Sequence, residues 1–138
     1  MSREIIFRGK SEVTNEWVYG SLVKVGNESH IVGFDEVDLD GHHLIYCSDR
    51  PIFTKQGTIG QFTGLHDKNG KEIYEGDIVL QQGYHGNKQP MVVKFECGAF
   101  IVGYHKGSST KTTPMLLNSK CEVIGNLFDN PELLEDKK

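Results

Sequence analysis

Histidines, cysteines and acids are the groups in this 138-residue sequence that could do chemistry, and their densest run is Glu36 to Cys47. Glu36, Asp38, Asp40 and Gly41 repeat the opening of a calcium-binding loop at every second residue. The twelfth position of such a loop must supply a bidentate carboxylate, and here it is Cys47. His42, His43 and Cys47, with His30 upstream, are zinc-ligand types, but no C-x-x-C or H-x3-H spacing closes a tetrahedral site. At Asp67, Asn69 and Lys71 a cation stands where a calcium ligand belongs. A nucleophilic cysteine needs a base and an electropositive setting. Cys97 instead has Glu96 beside it, and Cys47 and Cys121 lie in apolar, strand-like runs that read as core. No G-x-S-x-G, Walker A or G-x-G-x-x-G string is present. The loop from Gly83 to Lys88 has glycines and a cation, but no helix follows to offer a phosphate-binding N-terminus. These residues imply no metal, no cofactor and no enzymatic activity. A small hydrolase or transferase without a motif is the alternative they leave open.

What remains is aromatic. Tyr74, Tyr84, Phe95, Phe100, Tyr104 and Phe128 gather in the C-terminal half, and Trp17 with Tyr19 in the other. Most of these are expected to fill a core. Tyr84 and Tyr104, with Lys88, His105, Lys106 and Lys111 as neighbours, form the expected contact surface for an extended peptide or a single strand. A net charge of -4 disfavours a sequence-independent grip on phosphate backbones, which needs clustered cations. The expected partner is therefore a protein or a second copy of the chain, with nucleic acid as the alternative. No apolar run approaches a membrane span and the first residues open no signal peptide, so a cytoplasmic setting with reduced thiols is expected.

Short strands must position these groups. Sixteen glycines against four prolines, many at turn-like sites, punctuate apolar runs too short for helices. Ile5 to Phe7, Trp17 to Val25, His30 to Phe34 and Leu44 to Cys47 read as strands, with Gly26-Asn27-Glu28 turning the second into the third. Thr58 to Leu80 holds the clearest turn. Asn69-Gly70 is the pair that most readily takes the two positive φ values of a type I′ hairpin, and Gly76-Asp77 feeds the β-branched run Ile78-Val79-Leu80. Met91 to Phe95 and Ala99 to Tyr104 are linked through Glu96-Cys97-Gly98, and Met115 to Leu117 and Cys121 to Phe128 supply the last strands. Asn130-Pro131-Glu132 predicts an N-cap and a short helix through Leu134. The division expected is an N-terminal β-rich section over residues 1–62 and a C-terminal small barrel with a helical tail over 63–138.

Five segments together resemble the YopX family, found mainly in phages and prophages of Gram-positive bacteria: R-E-I-I-F-R-G-K, E-W-V-Y-G, T-I-G-Q-F-T-G-L-H-D-K-N-G-K-E-I-Y-E-G-D-I-V, V-K-F-E-C-G-A-F and E-V-I-G-N-L-F-D-N-P-E-L-L. The resemblance implies a mostly-β protein whose C-terminal part is an SH3-like barrel, placed in a bacterial host cell. It implies no established activity. Cys97 stands where the family usually has Asp or Asn before the glycine, and His66 where Lys or another polar residue is common. Neither departure suits a shared catalytic group. A non-enzymatic protein-interaction or assembly module is the function expected.

Overall fold

The computed structural model describes residues 4–32, 34–39, 42–47, 54–82, 88–103 and 115–134, and side chains throughout these except at 25, 34–39 and 42–47. The chain falls into two compact units, Met1–Gln61 and Phe62–Lys138. Among the described residues, strands and turns make up nearly all of both, and every strand pair is antiparallel.

In the first unit β1 (Phe7–Lys10) pairs with β2 (Trp17–Val25), from Phe7 opposite Gly20 to Lys10 opposite Trp17. β2 turns through Gly26 into β3 (Glu28–Val32). Gly26 has φ +63° and Asn27 no positive φ, the pattern of a type II′ hairpin with glycine first. β4 (Phe34–Leu39) and β5 (His42–Cys47) form a separate hairpin in which Asp38 lies opposite His43. Glu36 and Asp38 thus stand on a strand, not in a calcium-binding loop. On the other side of β1, Phe7 and Arg8 pair with Gln61 and Gly60 at the start of β6 (Gly60–His66). Gly9 is a close approach. A Cβ there would collide with the Thr54 methyl and stand 3.0 Å from Ile59.

In the second unit β6 continues through Phe62, opposite Tyr74, and after an irregularity reaches His66, opposite Glu72 on β7 (Glu72–Tyr74). The connection between them is not the type I′ turn expected of Asn69-Gly70. Only Gly70 has positive φ, +84°. Gly70 N–H donates to the Asp67 carbonyl at 3.0 Å and Asp67 N–H to that of Lys71 at 2.8 Å. This is a three-residue loop, a type I turn closed by a left-handed glycine. The cause is Asp67, whose Oδ1 accepts the N–H groups of Asn69 (2.8 Å) and Lys71 (2.9 Å) and so dictates the turn.

β8 (Asp77–Gln82), β9 (Lys88–Glu96), β10 (Ala99–Gly103) and β11 (Met115–Leu116) form a meander, and β12 (Glu122–Asn126) returns to the free side of β8. The order is β11-β10-β9-β8-β12. Among the described residues this sheet is open, with β11 and β12 as its edges, and does not close on itself. Alternation places Ile73, Val79, Met91, Val93, Val102, Leu117 and Cys121 in one core, with Phe100, Met115 and Val123 against it. The expected C-terminal helix is a single 3-10 turn, Pro131–Leu134. The Asn130 side chain reaches backwards, accepting Asn126 N–H at 3.2 Å, instead of capping the residues ahead of it.

The type I′ turn of this unit lies elsewhere, at Cys97 (φ +53°) and Gly98 (φ +78°) between paired Glu96 and Ala99. Cysteine is unfavourable in the left-handed region and asparagine tolerates it. Cys97→Asn is therefore expected to stabilise the protein by about 0.5 kcal/mol, read as a melting temperature about 2 °C higher.

Candidate functional site

Among the described side chains, Asp67, Asp77 and His30 are held by the backbone. Asp67 is 6% exposed. Its Oδ1 takes two N–H groups of its own turn, and Oδ2 accepts Val123 N–H at 3.0 Å, tying the hairpin to β12. Burial acts to raise the Asp67 carboxyl, but the bonds from Val123, Lys71 and Asn69, helped by the Lys71 ammonium, outweigh it and hold the group below its ordinary value. Asp77, buried at the start of β8, accepts Tyr74 N–H at 2.8 Å and closes the Glu75-Gly76 turn. His30 is buried on β3. Its Nδ1 accepts Thr54 N–H at 3.1 Å, so Nε2 carries the ring proton and lies 3.1 Å from a Glu28 carboxylate oxygen. Thr54 Oγ1 in turn accepts Ile31 N–H at 3.1 Å. A ring with both nitrogens engaged is a structural bracket, not a poised base.

The described thiols separate by burial. Cys97 is exposed at its turn. Cys121 is fully buried, and burial, reinforced by Asp67 and Asp77, pushes its thiol up to about 11, the opposite of an activated nucleophile. Among the described residues no group of three or more His, Cys, Asp or Glu is placed to hold a metal ion.

Among the described residues two surfaces stand out, one in each unit. In the first, the β1–β2 register puts Arg8, Lys10, Trp17 and Tyr19 on one face. The Arg8 guanidinium lies 4.4 Å and the Lys10 ammonium 5.2 Å from the Trp17 ring centre, cation–π distances. Tyr19 is 52% exposed, and Val13 at the hairpin tip 84%. In the second unit a pocket of about 270 Å³ is lined by Gln81, Gln82, Lys88, Asn118 and Lys120. Gln81 is its buried floor: Nε2 donates to the Leu116 carbonyl at 3.0 Å and Oε1 accepts Asn118 N–H at 3.2 Å. Asn118 Oδ1 accepts Lys120 N–H at 2.9 Å, shaping the turn that carries both residues.

Of the six residues expected to form a contact surface, Lys88 lines this pocket. Tyr84, Tyr104, His105, Lys106 and Lys111 lie outside the described residues, as do Asp40 and Gly41. Gln81, Asn118 and Lys120 carry no sequence signal as a site, being joined only by folding.

The model of the YopX family, described as YopX protein, matches residues 6–135. The chain belongs to the YopX family. Among solved structures, this YopX-family chain is similar to protein EF1440 from Enterococcus faecalis, with 26% identity, a TM-score of 0.60, and 97% of this chain and 100% of that one covered. It is also similar to protein yopX from Bacillus subtilis, at 19% identity and a TM-score of 0.47, over 99% of this chain and 100% of that one. No curated protein matches.

Proposed function

We propose that this YopX-family chain is a non-enzymatic binding and assembly module of phage or prophage type, working in the bacterial cytoplasm by docking a protein partner. The observation that carries this reading is the β1–β2 hairpin. Val13 and Tyr19 expose apolar surface there beside a half-buried Trp17 that two cations stack on. Exposed aromatic and apolar side chains grouped on one rigid element are the usual anchor of a protein interface. The engagement of Asp67, Asp77 and His30 with backbone amides supports the non-enzymatic half of the reading. For the second unit the proposed finer architecture is an SH3-like barrel. Its support is the strand order, a four-strand meander whose first strand receives the last, which lets a five-stranded sheet curl until its edges approach.

The test compares the full chain with a Val13→Asp, Tyr19→Ser double variant in affinity capture from lysogenic cells and in light scattering. Both sites are exposed, so the melting temperature should hold within about 2 °C. The reading expects a defined protein, or a second copy, bound by the wild type and weakened at least about tenfold in the variant. Equal capture by both chains would count against it. So would recovery of nucleic acid that raised salt removes.

A further inference from the structure

We infer that the pocket between Gln82 and Lys88 on one side and Asn118 and Lys120 on the other is a binding site for a small oxyanion, of the phosphate monoester class. The argument is one of donors and acceptors. Five residues line the pocket, three bearing carboxamides and two bearing ammonium groups, and none is an acid. The side-chain oxygens of Gln81 and Asn118 are engaged: Gln81 Oε1 receives Asn118 N–H, and Asn118 Oδ1 receives Lys120 N–H. Gln81 Nε2 is committed to the Leu116 carbonyl. The donors left to the pocket are the Lys88 and Lys120 ammonium groups and the Asn118 Nδ2 amide, and no carboxylate among the described residues lies in ion-pair range of either lysine. A lining with these donors left over, no carboxylate, and the Gln81 and Asn118 oxygens engaged is complementary to a group that only accepts. Two cations select one with two negative charges.

Size and rigidity agree with this. About 270 Å³ lies just under the usual range for small-molecule sites and suits a phosphate group with a small organic body. The floor is fixed because Gln81 is 2% exposed and bonded at both ends of its carboxamide. The two lysines rest on different supports. Lys88 opens β9 opposite Gln82, and Lys120 sits on the turn before β12. A ligand bridging them would link β9 to the turn before β12, two segments not directly paired with each other. This site is in the second unit and stands independently of the docking hairpin proposed for the first.

The test is an amide-resolved NMR titration of the full chain with inorganic phosphate, a sugar phosphate, a dicarboxylate and a short single-stranded oligonucleotide. The site expects saturable shifts centred on Gln82, Lys88, Asn118 and Lys120 with both phosphates, at a Kd of about 1 mM or tighter. The dicarboxylate should bind at least about tenfold more weakly. Lys88→Gln with Lys120→Gln should abolish the shifts while leaving the spectrum elsewhere unchanged. Asn118→Ala, tested separately, should weaken binding without removing it. Three results would overturn the assignment: no saturable shift with either phosphate, shifts that survive the double lysine variant, or binding of the oligonucleotide alone. The last would move the site to single-stranded nucleic acid.

Discussion

Asp67→Ala is expected to destabilise the protein by about 3 kcal/mol, because it removes the side-chain acceptor of three backbone N–H groups. In urea the midpoint should fall with an unchanged slope, since the same surface is exposed on unfolding. Asp67→Asn separates shape from charge. One oxygen survives for the turn, but an amide then meets Val123 N–H donor to donor, so the loss should be intermediate. The acid limb gives a second readout. The Asp67 carboxyl sits below 3.8 in the folded protein, so its contribution is complete above that value. It is lost as pH falls from 3.8 through the folded value. The wild type should therefore lose its advantage over Asp67→Asn in that window. Stability curves that stay parallel there would refute the role given to the charge.

Ile73→Ala is expected to cost about 3–4 kcal/mol. Ile73 is fully buried, and it packs with Val79, Met91, Val93 and Val102 where the hairpin delivers β7 onto the sheet. The loss combines the transfer of three methyl or methylene groups with a cavity that a two-sided β core cannot readily collapse. Ile73→Val should cost about 1 kcal/mol. Leu116→Ala is the contrast: also aliphatic and in the same unit, but 69% exposed on the edge strand, and expected to change stability by less than about 0.5 kcal/mol. Equal losses at the two positions would mean that the core lies elsewhere.

Local chemistry made much of this fold readable. Glycine at Gly26 and Gly76 marks turns that require positive φ, and the β-branched run after Asp77 becomes a buried strand. The misreadings arise where a distant partner overrides a local preference. Asn69-Gly70 favours a type I′ turn in isolation, yet the Asp67 carboxylate, held in place by Val123 from 56 residues away, selects another. Asn130-Pro131 favours a helix start, yet Asn126 engages the asparagine and Gly125 leaves room for it. A Cβ at Gly125 would stand 2.6 Å from that side-chain oxygen. The pocket was hidden for the same reason. Lys88 attracts notice as a cation beside glycines, but Gln81 and Asn118 are ordinary residues until a hydrogen bond across 37 positions brings them together.

The sealed sulfur of Cys121 gives the second unit an internal clock. Its thiol is out of reach of solvent and, with burial holding it near 11, out of reach of chemistry while the core stays shut. Alkylation at this atom can proceed only through openings of the sheet around it. Exposed Cys97, on the same chain, sets the pace of the unhindered reaction. The molecule thus carries both the probe and its own reference for timing how often the interior breathes.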